Sequence, residues 1–231
     1  MNFRFLTDDP NDFIQKYLAK GVFFEAEELE VMKKYSTPNG VILDIGANVG
    51  NHAVYFSKFF DAKKIYVFEP VVRSYKLLLA NLCLNYCHNV NVDFVGIALG
   101  HMNTVGYPYM KYLDNLGSVT LHSDPVKDSL FNQVPVMPGD DLLQGEHVDF
   151  IKMDIEGMEM LALQGLHNTI TQSRPNIYVE VDGNNMEEFT KWLIDNQYES
   201  VWSNSYLDVC YNYMLLPKEK INGYTKLGNS Q

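Results

Sequence analysis

The chain lacks several features that would define its class at once. It has no apolar run of the roughly 18–20 residues that a membrane-spanning helix needs, and its first ten residues have no apolar core of the signal-peptide type. Only three cysteines occur. Cys83 and Cys87 stand on one face of a predicted helix beside His88, but no second ligand pair accompanies them, so core packing is favoured over a metal or redox pair. We therefore expect a cytoplasmic protein without a membrane span.

Basic residues are also scarce. The 231 residues include 18 Lys and Arg against 29 Asp and Glu, which gives a formal net charge of −11. Because affinity for nucleic acids comes largely from Lys and Arg contacts with phosphates, nucleic acid is not an expected partner. Hydrophobic residues make up 46% of the chain. The length and this fraction are compatible with one α/β domain that has a sizeable core.

From Val41 onward, short apolar runs alternate with helix-like segments. Such alternation is typical of a mostly parallel sheet between two helix layers, an α-β-α sandwich. The last two runs, Tyr198–Ser203 and Cys210–Leu216, have no long helix between them, so they are predicted to form an antiparallel hairpin at the sheet edge. The other predicted strands are Val41–Ile45, Lys64–Phe68, Val90–Leu99, Val148–Met153 and Asn176–Glu180.

The remaining segments define a predicted domain plan. Residues 1–40 are expected to form an N-terminal helical cap with helices at Pro10–Ala19 and Glu25–Tyr35, before a main domain over residues 41–216. Residues 101–144 interrupt the alternation and are predicted to be an insertion with extra short strands, which suits a lid or substrate-binding role. One helix is predicted over Met158–Thr171. The polar residues 217–231 are expected to form a flexible tail.

The segment Asp44-Ile-Gly-Ala-Asn-Val-Gly50 follows the first predicted strand and has the features of a cofactor loop. In open α/β sheets, ligands bind beyond the carboxyl ends of the strands. Gly46 and Gly50 allow sharp turns and close backbone approach, and Asn48 tolerates left-handed geometry. The following helix begins near Asn51 and directs unpaired N–H groups at a ligand. The loop therefore predicts a nucleoside-cofactor site.

The loop also indicates which cofactor binds. A dinucleotide fingerprint has a middle glycine where this chain has Asn48, and the carboxylate of Asp44 would repel a pyrophosphate. An acidic residue suits a ligand with an ammonium group, such as the methionine part of S-adenosylmethionine. No Gly-Lys-Ser or Gly-Lys-Thr triplet of a P-loop occurs. An NAD-type oxidoreductase and a non-catalytic adenosine-binding module stay as alternatives.

A second acidic residue supports the nucleoside interpretation. Glu69 ends the second predicted strand, 25 residues after Asp44, where a carboxylate accepts hydrogen bonds from ribose hydroxyls. The apolar residue Val71 offers a face for adenine. The predicted cofactor-binding residues are therefore Asp44, Gly46, Asn48, Gly50, Asn51, His52, Glu69, Val71, Ala98 and Glu25.

Candidate catalytic residues follow the fourth long strand. Lys152 and Asp154 are two residues apart, so they point the same way on an extended strand, and a buried lysine needs an acidic partner. Glu156 follows closely. We predict Asp154, Glu156 and Lys152 as catalytic residues, with His52 and Glu180 as alternative bases and Glu159 as a first-turn acid of the next helix. Such carboxylates could also bind Mg²⁺, but no specific metal motif occurs.

Several motifs in this order resemble the FkbM-type S-adenosylmethionine-dependent methyltransferases. The resemblance implies a Rossmann-like class I methyltransferase fold with seven strands, and O-methylation of hydroxyls on sugars, glycans or other polyhydroxylated small molecules. The oligomeric state does not follow from it. The motifs are Val41-Ile-Leu-Asp-Ile-Gly-Ala-Asn-Val-Gly-Asn-His52, Phe-Glu-Pro70, Asn81-Leu-Cys-Leu-Asn85, Ile151-Lys-Met-Asp-Ile-Glu-Gly-Met-Glu159 and Arg174-Pro-Asn-Ile-Tyr-Val-Glu180.

Overall fold

The computed structural model describes residues 2–112, 114–125, 133–206 and 210–228. Short 3-10 turns lie at Leu116–Ser118, Gly183–Asn185 and Lys218–Lys220. The strands are β1 (Val41–Ile45), β2 (Lys64–Phe68), β3 (Val90–Asn91), β4 (Ala98–Leu99), β5 (Thr104–Met110), β6 (Val119–His122), β7 (Val134–Met137), β8 (Phe150–Met153), β9 (Asn176–Asp182), β10 (Tyr198–Tyr206) and β11 (Cys210–Pro217). The helices are α1 (Gln15–Leu18), α2 (Ala26–Lys34), α3 (Asn51–Phe59), α4 (Val72–Leu84), α5 (Gly139–Leu143), α6 (Glu159–Gly165), α7 (His167–Ser173), α8 (Met186–Asp195) and α9 (Ile221–Gly228).

Seven strands form the main sheet in the order β10-β11-β9-β8-β1-β2-β3. The five strands from β9 to β3 are parallel, whereas β11 is antiparallel to both β9 and β10. This arrangement confirms the predicted mostly parallel sheet with an antiparallel edge hairpin. The chain leaves β1 towards β2 on one side and later returns through β8 on the other, so the carboxyl end of β1 is a topological switch point.

Helices cover both faces of this sheet. Along β1, Val41, Leu43 and Ile45 point into one core, which α6, α7 and α8 complete. Ile42 points into the opposite core, with α2, α3 and α4. The alternation follows from the two-residue period of a strand, and it confirms the three-layer sandwich. Within the described ranges, no helix is both long and apolar enough to cross a membrane.

The predicted insertion forms a second, smaller sheet with β4. Its strand order is β4-β7-β5-β6, in which β7 is parallel to β4 and β5 is antiparallel to β6 and β7. Residues 113 and 126–132 of this insertion lie outside the described residues. The prediction of extra short strands within residues 101–144 is therefore confirmed.

Two predicted elements were too long. Residues 90–99 are not one strand, since the Asn91 side chain accepts the Asp93 N–H at 3.0 Å and Gly96 has a φ of 86°, so the chain turns between β3 and β4. The helix predicted over Met158–Thr171 is two helices that meet at Leu166.

The N-terminal cap is less helical than predicted. The helix expected over Pro10–Ala19 shrinks to the four residues of α1. Oδ1 of Asp12 accepts the N–H groups of Ile14 at 3.0 Å and Gln15 at 2.8 Å. Because this side chain satisfies the N–H groups at a helix start, α1 begins only after Asp12.

Part of the segment predicted as a flexible tail, residues 217–231, is helical and contacts the rest of the domain. Residues 218–228 are helical. Glu219 forms an ion pair with Arg174 at 2.7 Å, and Tyr224 accepts a 2.8 Å hydrogen bond from Asn176 and packs on the core. The apolar residues Ile221 and Tyr224 face the core at helical spacing, which anchors a segment that looks polar overall. Residues 229–231 lie outside the described residues.

Candidate active site

A cavity of about 240 Å³ opens at the carboxyl ends of β1, β2 and β8. The N-terminal segment and the insertion form further walls of the cavity. These two segments are joined where Oδ2 of Asp12 accepts the Leu116 N–H at 2.7 Å. The cavity lies at the switch point of the sheet, where ligands of α/β proteins bind. Its walls combine the predicted cofactor loop with the predicted catalytic segment. Predicted site residues in the walls are Glu25, Gly46, Asn48, Glu69, Val71, Ala98, Asp154 and Glu156.

The cofactor loop uses its glycines for close packing. Gly46 has a φ of 80°, and a Cβ there would lie 1.9 Å from the carbonyl oxygen of Asp154. Gly50 has a φ of 93°, and its Cβ would approach the Leu78 side chain to 2.9 Å. Asn48 takes the left-handed conformation with a φ of 47°. The loop thus brings its backbone against the segment that follows β8, as only glycine permits at position 46.

Asn48 and Glu69 together form a polar surface in the cavity. Glu69 accepts backbone N–H groups from Asn48 at 2.9 Å and from Val71 at 2.8 Å. Burial raises the pKa of Glu69 to about 7, and the two backbone hydrogen bonds act against that rise. Each carboxylate oxygen keeps acceptor capacity. The side-chain oxygen of Asn48 is buried without a hydrogen-bond partner, so both residues fit a ligand that brings hydroxyl or N–H donors.

Lys152 is a buried cation behind the cavity wall. Its side chain donates a 2.9 Å hydrogen bond to the Gly46 carbonyl, and its Nζ lies 3.7 Å from Asp44 and from Asp154. Burial acts to lower the pKa of Lys152, but Asp154, Asp44 and other nearby carboxylates outweigh it and raise that pKa. Lys152 therefore carries its charge in the fold.

Asp44 is fully buried and does not line the cavity. Burial raises its pKa, although the charge of Lys152 opposes that effect. Neither of its carboxylate oxygens has a hydrogen-bond partner. Lys152 is thus the cationic neighbour of Asp44 in this structure, and contact between Asp44 and a ligand ammonium group stays a prediction.

Three further predicted residues organise the cavity rim. The side-chain amide of Asn51 accepts the Phe24 N–H at 2.9 Å and donates to the Phe24 carbonyl at 3.0 Å. Nε2 of His52 lies 3.2 Å from Glu25. Burial acts to raise the pKa of Glu25, but His52 and the charge of Lys152 outweigh it and lower that pKa. Glu25 lines the cavity, whereas Asn51, His52 and Gly50 support it from behind.

Three carboxyl groups converge at the end of the cavity near β8 and β9. Asp154, Glu156 and Glu180 each place an oxygen within 4.8 Å of the others. Burial and the charge of Asp154 raise the pKa of Glu156 to about 8 and that of Glu180 to about 9. Three close carboxylates repel one another, which favours protons or a positive charge among them. This acidic cluster can accept a proton or several hydrogen bonds from an acceptor molecule.

The loop after β8 holds the cluster in place. Glu156 and Gly157 both have positive φ angles, of 55° and 101°, so the chain reverses before α6. The Glu159 side chain accepts the Gly157 N–H at 2.8 Å, which agrees with its prediction as a first-turn acid. Glu159 therefore stabilises the turn that presents Asp154 and Glu156 to the cavity.

The sequence did not identify the walls that come from distant segments. These residues are apolar or small and carry no spacing signal, and only the turn-forming run Asn115-Leu-Gly-Ser118 marks a loop. Glu180 was predicted only as an alternative base, yet it joins Asp154 and Glu156. The additional wall residues are Phe13, Ile14, Asn115, Leu116, Gly117, Val119, Leu121, Met158 and Cys210.

The sheet order, the glycine loop at its switch point and the acidic residue at the next strand end together define a Rossmann-like methyltransferase fold. Residues 44–207 match the family model described as the methyltransferase FkbM domain. The chain belongs to the FkbM methyltransferase family, and this family implies S-adenosylmethionine as the methyl donor. The resemblance predicted from the motifs is confirmed, and it removes support from an NAD-type oxidoreductase.

Two curated relatives are methyltransferases. Methyltransferase sdnD of Sordaria araneosa is 26% identical over 175 residues, which cover 62% of this chain and 66% of that protein. Methyltransferase 1 of Beauveria bassiana is 23% identical over 203 residues, which cover 76% of this chain and 80% of that protein. This chain thus spans slightly less than two thirds of the first relative.

Solved structures agree on the fold. The FkbM methyltransferase from Methylobacillus flagellatus has a TM-score of 0.54 at 17% identity, over 90% of this chain and 56% of that chain. The tRNA m1G37 methyltransferase of M. jannaschii has a TM-score of 0.50 at 17% identity, over 87% of this chain and 50% of that chain. At these identities the likeness concerns the fold alone.

Proposed function

We propose that this protein is an S-adenosylmethionine-dependent O-methyltransferase that acts on a hydroxyl of a sugar, glycan or other polyhydroxylated small molecule. The observation that supports it is one cavity lined by the cofactor loop, by Glu69 and by the acidic cluster of Asp154, Glu156 and Glu180. The first two suit a nucleoside, and the third suits a molecule with several hydroxyl groups.

The cofactor half of the cavity has the chemistry that S-adenosylmethionine requires. Glu69 would accept hydrogen bonds from the ribose hydroxyls, and the unpartnered oxygen of Asn48 would accept another donor. Val71 and Ala98 supply an apolar wall for the adenine ring. S-adenosylmethionine supplies a methyl group already activated by a sulfonium centre. The protein must therefore mainly orient the acceptor, which can contribute on the order of 7–11 kcal/mol at best.

Asp154 is the proposed general base. A neutral hydroxyl must lose its proton during transfer, and a positioned base contributes about 10²–10⁴-fold. Lys152, 3.7 Å away, holds the Asp154 side chain in place, whereas Glu156 and Glu180 would accept hydrogen bonds from neighbouring hydroxyls. In this assignment Asp154 and Glu156 contact the substrate, and Lys152 acts through Asp154.

The acceptor is proposed to be a small molecule or glycan rather than a nucleic acid. The net charge of −11 repels a phosphate backbone. Some fold neighbours act on tRNA according to their names, but their likeness to this chain is one of fold.

Calorimetric titration with S-adenosylhomocysteine, and separately with NAD, tests the cofactor assignment. We expect micromolar binding of S-adenosylhomocysteine and no heat of binding with NAD. A Glu69→Gln variant should bind S-adenosylhomocysteine more weakly, because an amide has one acceptor oxygen fewer. Absence of S-adenosylhomocysteine binding in the unmodified protein would contradict the proposed cofactor.

Transfer of a labelled methyl group to a panel of cell-wall and capsular sugars tests the reaction. With an acceptor in hand, Asp154→Asn should lower turnover by about 10²–10⁴-fold, since the amide cannot take the proton. Asp195→Asn, at an exposed position on α8, is the matched control and should keep full turnover. Full activity of Asp154→Asn would exclude it as the base. Cofactor binding without transfer to any hydroxyl would favour the non-catalytic module.

A further inference from the structure

A second pocket adjoins the active-site cavity and plays no part in the proposed chemistry. This side pocket, of about 220 Å³, lies between the small sheet and α6. Leu121 and Met158 line both spaces. Met158 directly follows the loop that carries Asp154 and Glu156, so the side pocket begins beside the acidic cluster. The two spaces are therefore neighbours that meet at these two side chains.

The side pocket gathers apolar surface that would otherwise be unexplained. Met102 is 53% exposed, Val105 is 41% exposed and Leu161 is 39% exposed, and all three line this one pocket. Isolated exposed apolar side chains are common, but a contiguous set around a concave space marks a binding site. The small sheet and α6 thus leave apolar side chains open to a ligand.

The lining also restricts the kind of ligand. No Asp, Glu, Lys or Arg occurs among the described residues that line the side pocket. The polar lining residues are His101, Thr104, His122 and Ser123, and the other side chains of the lining are apolar. A phosphate would therefore lose much of its hydration there without meeting a lysine or arginine. The volume is larger than the roughly 150 Å³ of a cavity that holds benzene. The space therefore suits an uncharged apolar group with the size of a substituted ring or a short alkyl chain.

We propose that the side pocket formed by Met102, Val105, Leu121, Met158 and Leu161 binds an uncharged apolar portion of the methyl acceptor. The acceptor is then amphipathic, with hydroxyl groups at the acidic cluster and an apolar group beyond Leu121 and Met158. This inference rests on the proposed function and narrows it, because free sugars and phosphate-bearing sugars would leave the side pocket empty.

The neutral dye N-phenyl-1-naphthylamine tests the side pocket directly. In the presence of saturating S-adenosylhomocysteine, we expect the dye to bind with enhanced fluorescence. Combining Val105→Thr with Leu161→Gln should weaken binding by about tenfold, since both changes replace exposed apolar groups by polar groups of similar shape. The matched control combines Val92→Thr with Leu79→Gln, at positions that are each 37% exposed and outside both spaces, and should change affinity less than twofold.

Competition with two glucosides then tests whether the pocket belongs to an acceptor site. Hexyl β-glucoside should displace the dye at concentrations where methyl β-glucoside does not, because only the hexyl group fills the side pocket. The inference is overturned if the dye does not bind, if the control pair weakens it equally, or if hexyl β-glucoside has no advantage. Calorimetry with S-adenosylhomocysteine, measured separately, shows whether the proposed function fails instead, since its binding does not involve the side pocket.

Discussion

Replacing Lys152 by methionine should destabilise the fold strongly, because the lysine is the cation between two carboxylates. Lys152 is 1% exposed and Asp44 is fully buried. Methionine has a similar length and no charge, so the change removes the cation with little change in packed volume. The carboxylate of Asp44 would then be buried without its cationic neighbour.

The expected size of this effect follows from the distances. At 3.7 Å, with an effective dielectric constant near 20, each ion pair contributes about 4 kcal/mol before desolvation. The Asp154 side chain is 33% exposed, so solvent weakens its share. Removing one partner of a buried pair typically costs about 3–5 kcal/mol. Since folded proteins are stable by about 5–15 kcal/mol, Lys152→Met should lose at least about a fifth of that free energy.

The loss should also depend on pH in a defined direction. The pKa of Asp44 is already raised by burial, and without Lys152 it rises further. A carboxyl group with a raised folded-state pKa binds its proton more tightly in the folded state. The free energy of unfolding therefore increases as the pH falls towards about 4, the pKa that the group has in the unfolded chain. The deficit of Lys152→Met should therefore be larger at pH 8 than at pH 5.

Urea unfolding at both pH values, without cofactor, measures these effects. The double variant Asp44→Asn with Lys152→Met removes both charges and should recover most of the lost free energy. Lys191→Met, at an exposed position on α8, is the control for lysine removal. The reasoning is refuted if Lys152→Met loses less than about 1 kcal/mol, if its deficit is the same at both pH values, or if the double variant is no more stable.

Three further predictions concern the cofactor site, the rim and the C-terminal segment. Affinity for S-adenosylhomocysteine should rise by up to about tenfold between pH 6 and pH 8, because the ribose hydroxyls donate to ionised Glu69, whose pKa is about 7. In Glu69→Gln, the affinity measured by calorimetry should not change over this pH range. Asn51→Ala loses both hydrogen bonds to the Phe24 backbone and should lower the free energy of unfolding in urea by about 1–3 kcal/mol. An unchanged urea midpoint would show that these two hydrogen bonds do not stabilise the rim. Arg174→Ala loses its bonds to Glu219 and to two backbone carbonyls and should lower Tm by several degrees with methyl transfer unchanged; an unchanged Tm would mean that the last helices are not anchored there.

The half of the cavity formed by the glycine loop and Glu69 could be located from the sequence, because backbone geometry demands particular residues there; contact of these residues with a cofactor stays a prediction. Gly46 has no room for a Cβ beside the Asp154 carbonyl, and Glu69 must stand at a strand end to meet the loop. Such requirements on the backbone appear in the sequence as short motifs at a fixed spacing. The main sheet was predictable for a similar reason, since buried parallel strands are short apolar runs.

The half of the cavity that the N-terminal segment and the insertion contribute was not predictable, because its residues meet only through distant contacts. The hydrogen bond between Asp12 and Leu116 joins positions 104 residues apart. The sequence around either residue contains no pattern that predicts this contact. The boundary errors have local causes instead. Asn91 and Gly96 turn the chain where the apolar residues of positions 90–99 predicted one strand. Ile221 and Tyr224 pack on the core and anchor the last helix in a segment that is otherwise polar.

The division between these two halves has a consequence for specificity. The cofactor loop is held by the strands of the main sheet and by α4, whereas Leu121 belongs to β6, whose one described strand partner is β5. Changes in β5, β6 or their neighbours can therefore reshape the side pocket without moving Gly46 or Glu69. Val105→Thr with Leu161→Gln should accordingly alter acceptor binding while leaving S-adenosylhomocysteine affinity within twofold. A joint loss of both affinities would show that the small sheet and the cofactor loop form one energetic unit.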